Sequence, residues 1–175
     1  MTKIATALML VLQTTLPRIS QERIENITHD MVDVVDEDFV DGLRNSSMDK
    51  VQALGMLAAV AVMESGLQET VETCKVTGDG GRSIGLGQVM NGINWEGHTR
   101  KEICSNRKLQ LRLALHVIDK CWGRGARPSA VVKCYTSGDS TKETPDPSCP
   151  KRSGGCPARR LSRRERSHPT QLLSL

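Results

Sequence analysis

The chain has 175 residues, enough for about one domain. Four residues are aromatic (Phe39, Trp95, Trp122 and Tyr135), so the core is aliphatic and a stacking platform for single-stranded nucleic acid is excluded. The net charge of +4 is uneven: residues 151–175 carry +6 and the rest −2, which marks a basic tail suited to an anionic surface and no specific nucleic-acid reader.

In chain order, Lys3 precedes an apolar stretch from Ile4 to Leu16. At fewer than the roughly 20 residues a bilayer demands, it is no transmembrane helix. Residues 1–20 read either as a signal peptide without a clean cleavage site or as an ordinary N-terminal helix. Residues 21–47 form an acidic helical lead-in. Eight acidic residues stand between Arg18 and Leu43, with Ile24, Ile27, Met31, Val34 and Val35 at helical spacing among them. The expectation is one or two amphipathic helices with a solvated acidic face. A calcium loop starting at Asp36 fails, because position five is Val40.

Ser46-Ser47-Met48-Asp49 resembles a capping-box start, and no polar side chain interrupts the run from Ala53 to Met63. Such a helix is buried, and Gly66 is placed to end it in the left-handed conformation. Seven glycines between 78 and 97 exclude regular helix, leaving an irregular loop or a short hairpin. Residues 107–121 return to helix. Ser129 is expected to cap a short helix through Tyr135, ended by Gly138. From 139 to 175, Pro, Ser, Arg and Gly dominate and no period survives. The fold class is therefore mainly α, with an irregular glycine-rich central loop.

Six cysteines at 74, 104, 121, 134, 149 and 156 include no C-x-x-C pair, which disfavours zinc and thioredoxin-like chemistry. They favour disulfides in an oxidising, extracytoplasmic compartment. The best pairing is Cys121–Cys134 between successive helices, Cys74–Cys104 across the loop and Cys149–Cys156 in the tail.

Glu64 carries the chemistry. It follows eleven residues without a polar side chain and precedes the glycine-rich loop. Burial disfavours a carboxylate and a helix C-terminus repels one, so the placement is costly unless it serves a function. A Glu held protonated is a general acid, which the poor leaving oxygen of a glycosidic bond needs. Gly85, Leu86 and Gln88 offer backbone and an amide to a glycan strand. Trp95, following the loop, is a candidate to stack on a sugar face. Asp79 is a turn residue or a second carboxylate. His116 reads as a satisfied core histidine. No histidine shows metal-ligand spacing, and no metal or cofactor is implied.

Ala61-Val62-Met63-Glu64-Ser65-Gly66 resembles the Glu-Ser motif of the lysozyme-like lytic transglycosylases. Ser83-Ile84-Gly85-Leu86-Gly87-Gln88-Val89 resembles their Gly-Leu-Met-Gln motif, and Cys134-Tyr135-Thr136-Ser137-Gly138 their Ala-Tyr-Asn-x-Gly motif. The three stand in family order within residues 48–138, roughly half the chain. Thr136 replaces the usual Asn and Gly87 the usual Met. The resemblance implies a lysozyme-like helical catalytic domain over 48–138. It also implies cleavage of the β-1,4 bond between N-acetylmuramic acid and N-acetylglucosamine in peptidoglycan. Glu64 would be acid and then base toward the sugar's own 6-hydroxyl, leaving a 1,6-anhydro end. Ser65 and Tyr135 would orient Glu64, and Gly85–Gln88 would line the cleft. Gly78-Asp79 with the Gly85–Val89 segment also resembles the goose-type lysozymes, which hydrolyse the same bond. A third expectation is an inert glycan-binding or structural module of an envelope-crossing machine or a virion.

Overall fold

The computed structural model describes residues 3–41, 43, 48–122 and 127–137. The chain divides into a unit spanning 1–144 and a second spanning 145–175. The basic tail and the Cys149–Cys156 pairing lie outside the described residues, as do Gly138, Ser46 and Ser47.

Helix α1 (Lys3–Thr15) packs on α2 (Gln21–Asp41) through buried Ala5 and Leu12. Among the described residues no helix is long and apolar enough to cross a membrane. In α2 the five expected apolar positions are all buried, with at most 3% of Val35 exposed. Each fully buried aliphatic side chain of this size contributes about 1.5–3 kcal/mol. The stripe faces α3 (Lys50–Ser65) and α6 (Arg107–Cys121) within one hydrophobic cluster. Residues 21–41 thus belong to the main body; they are not a separate lead-in.

The acidic face of α2 is solvated as expected at Asp33, Asp36 and Glu37, and it is also paired, which was not expected. Its carboxylates meet the cations of α6: Arg107 on Asp30 at 3.0 Å, Lys108 on Asp33 at 2.6 Å, and Arg112 on Asp38 at 2.9 Å and on Glu37. Lys50 of α3 reaches Asp36 at 2.6 Å. The face is a charged seam between helices that sequence spacing does not show, because its α6 partners lie some 75 residues on and only folding unites them.

Helix α3 opens on a capping box at Asp49, three residues later than a motif starting at Ser46 suggests. Asp49 accepts from the Gln52 backbone N–H, and the Gln52 side chain accepts from Asp49 N–H. Asp and Gln at this spacing satisfy two otherwise orphaned amides. The helix ends at Gly66, whose φ of 56° forms the left-handed cap.

After a single turn, α4 (Glu69–Glu72), the central segment forms two short 3-10 turns and an antiparallel hairpin. Its strands β1 (Ser83–Ile84) and β2 (Val89–Met90) pair Ser83 with Met90 and Ile84 with Val89. Helix α5 (Arg100–Ser105) leads into α6, and α7 (Pro128–Ser137) packs on α6. Helix α7 begins at Pro128, not after a Ser129 cap; proline suits a first helical position because its missing N–H would have no partner there. Disulfides join Cys74 to Cys104 and Cys121 to Cys134, with Cα separations of 5.6 and 5.7 Å. Both pairings match the sequence expectation. The fold is mainly α, and its two disulfides are compatible with an extracytoplasmic location.

Candidate active site

Glu64 projects from the last turn of α3 into a cleft of about 340 Å³. The end of that turn is fastened from several sides. The buried Ser65 hydroxyl donates to Ala61 O at 2.6 Å and accepts from Leu67 N–H at 3.2 Å. Arg23 Nε donates to Leu67 O at 2.8 Å, and Arg23 Nη2 pairs with Glu72 at 2.5 Å. Arg107 joins the same Glu72 at 2.8 Å. Ser65 therefore fixes the backbone beneath Glu64.

The Glu64 side chain is half-buried, and no hydrogen bond or ion pair holds it among the described residues. Burial at the end of an apolar helix, and then the negative charge of Asp79, push its carboxyl above the ordinary 4.5. Asp79 shares the cleft. Its Oδ2 accepts from the Ser83 hydroxyl at 2.7 Å, and its backbone sits at φ 50°. Gln88, at φ 47°, lines the same cleft and donates from Nε2 to Gly85 O at 3.0 Å. Left-handed conformations cost non-glycine residues about 1–2 kcal/mol each. Two such residues on one cleft wall are paid for by the packing around them.

That packing explains the glycines. Gln110 is buried in α6 with its amide fully engaged. Its Oε1 accepts from Leu86 N–H, and its Nε2 donates to Glu72 O and Ile103 O, each at 2.8 Å. A Cβ on Gly85 would stand 2.8 Å from the Gln110 amide. A Cβ on Gly87 would stand 2.6 Å from Ala114 Cβ and 2.8 Å from the Tyr135 hydroxyl. These glycines admit neighbouring side chains into the body of the protein. Gly85 and Leu86 do not line the cleft, and Leu86 is fully buried in the core. Of the Gly85–Gln88 segment, Gln88 reaches the cleft.

Tyr135 closes the opposite wall. Its hydroxyl donates to Gly87 O at 2.7 Å. Burial, and then the nearby Glu64, hold the phenol well above its ordinary range, so it remains a neutral donor. Trp95 does not present a stacking face. It is 9% exposed, and its indole N–H donates to Val89 O at 2.9 Å, bracing β2 from behind. The neighbouring Asn94 lines the cleft instead. The remaining wall includes Val117, Lys120 and the Cys121–Cys134 disulfide from α6 and α7, together with Thr136 and Met90.

Of the residues singled out in the sequence, Glu64, Asp79, Gln88 and Tyr135 line one cleft; sequence reasoning omits Asn94, Lys120 and Gln110. The apolar spacing around Gln110 signalled only a helix face. A glutamine inside such a stripe, opposite a run of glycines, was the available clue. Among the described residues no group of three or more His, Cys, Asp or Glu is placed to hold a metal ion. The cleft thus offers one protonatable acid, a second carboxylate, two amide side chains, a neutral phenol and an ammonium group. Compared with models of protein families, with curated proteins and with solved structures, the chain matches none.

Proposed function

We propose that the protein is a peptidoglycan lytic transglycosylase acting outside the cytoplasm, as a periplasmic, secreted or virion-associated enzyme. The observation that carries this reading is Glu64: a carboxyl raised by burial and by Asp79, without a hydrogen bond or ion pair among the described residues, lining a cleft of about 340 Å³. The ordered trio of motifs around Glu64, Gln88 and Tyr135 supports the same substrate.

In this reading the glycan strand lies across the cleft with the muramyl–glucosaminyl oxygen at Glu64. Glu64 gives its proton to that oxygen as the bond to C1 of the muramyl residue breaks. The resulting carboxylate takes the proton of the same sugar's 6-hydroxyl while that oxygen bonds to C1. The products are a free 4-hydroxyl and a 1,6-anhydro end. No water is added, and Glu64 returns to its starting state. Ser65, Arg23 and Glu72 hold the helix end, and Tyr135 and Gln88 shape the wall.

Asp79 supports a second reading, an inverting hydrolase in which it orients water while Glu64 acts as acid. Digestion of purified sacculi followed by mass spectrometry separates the two. Anhydro ends, lighter than reducing ends by one water, are expected. Reducing ends would establish the hydrolase. No digestion, with retained pelleting on cell walls, would establish an inert binding module.

A further inference from the structure

We propose that Lys120 is a specificity residue that binds the carboxylate carried by the muramyl side arm of the glycan. This deepens the reading above and rests on it. Among the described residues lining the cleft, Lys120 is the one basic side chain, and it lines the cleft with Glu64 and Asp79. Its position is structurally favourable: it sits in the last turn of α6, where the helix dipole supports a positive charge.

Its own counter-ion is largely committed elsewhere. Glu96 is held in a left-handed backbone at φ 52°. Both its carboxylate oxygens lie against His116 Nδ1, at 3.1 and 3.0 Å. His116 Nε2 in turn faces Asp38 at 3.2 Å. Lys120 reaches Glu96 only at 3.7 Å, beyond hydrogen-bond distance, and its side chain is 43% exposed. The pair is a loose electrostatic contact, and it leaves the ammonium group of this cleft-lining residue able to take a second anion.

A neutral β-1,4 glycan of N-acetylglucosamine has no use for that cation. Muramic acid carries a lactyl ether whose carboxyl is either free or extended by a peptide bearing its own carboxylates. Either source presents the same chemistry, an anion on an arm projecting from the sugar ring. An amine point charge at the rim suits a flexible arm better than a geometrically demanding bidentate site.

The test is equilibrium binding to the inactive Glu64→Gln chain and to the same chain with Lys120→Gln. Three ligands are used: amidase-stripped glycan strands with free lactyl carboxylates, strands with intact peptides, and uncharged N-acetylglucosamine oligomers. The expected result is a fall of about fivefold in the preference for carboxylate-bearing strands over the uncharged oligomer, the scale of an exposed ion pair. Lys120→Glu lowers the preference further, and Lys120→Arg restores most of it. A loss confined to stripped strands assigns the lactyl carboxylate, and one confined to intact strands assigns the peptide. An unchanged preference overturns the role of Lys120 while leaving the glycan reading standing. Failure of all three ligands to bind overturns both.

Discussion

Two regions of this molecule use carboxylates in opposite ways. Along the α2–α6 seam, Asp30, Asp33, Glu37 and Asp38 each meet a cation of α6, and Glu72 holds two arginines nearby. In the cleft, Glu64 has no cation partner among the described residues, and Asp79 adds to its burden. Paired carboxylates join helices. An unpaired one, beside a like charge and partly buried, has its carboxyl raised above the ordinary value. The difference lies in the neighbours each residue meets on folding.

The largest expected effect breaks this contrast at the cleft. Glu64→Gln should lower cleavage of peptidoglycan by about 10²–10⁴, the range for a general acid–base residue, while strand binding persists. Its stability moves the other way. The raised carboxyl of the native protein contributes stability that is full below the ordinary 4.5 and lost as pH rises through the higher folded value. Thermal melts of the variant should therefore match the parent at low pH and gain on it toward neutrality.

The matching substitution in the seam has the reverse signature. Glu72→Ala leaves Arg23 and Arg107 without a shared partner in a site where all three side chains are less than a quarter exposed. Breaking such a pair should cost about 3 kcal/mol, read as a lower midpoint in urea. A smaller fall is expected for Gln110→Ala, about 2 kcal/mol. It strands the carbonyls of Glu72 and Ile103 and loosens the loop bearing Gln88. Tyr135→Phe removes one hydrogen bond to Gly87 O and should cost about 1 kcal/mol.

The smallest effect is a pH dependence. Hydrogen bonding to Asp38 first, and then to Glu96, raises His116 above 6.5 despite its burial. Its stabilising contribution is full below 6.5 and is lost as pH rises through the folded value. The melting-temperature advantage of the parent over His116→Gln should shrink as pH rises above 6.5 through the folded value.

Much of the fold was legible because its signals are local. The spacing of Ile24, Ile27, Met31, Val34 and Val35 gave the buried face of α2, and Gly66 gave the end of α3. The two described disulfides followed from the order of helix and loop. What escaped depends on distant partners. The ion pairs on the acidic face of α2 were not foreseen because Arg107, Lys108 and Arg112 are far along the chain. Gly85 and Gly87 looked like room for a ligand because Gln110, Ala114 and Tyr135, which claim that room, belong to other elements. Trp95 followed the loop in sequence, but its indole N–H turned inward to Val89. In the site, the chemically odd placement of Glu64 was readable from one helix. The lysine on the far wall was not, since nothing local marks the end of α6 as a neighbour of the end of α3.

Carbon-detected NMR titration of the Glu64 side-chain carboxyl tests the central claim most directly, because it follows the proton without requiring a substrate. A midpoint above 4.5 that moves down when Asp79 is replaced by Asn is the predicted result. A midpoint at or below 4.5, insensitive to Asp79, would mean that Glu64 is an ordinary surface carboxylate and would contradict the account.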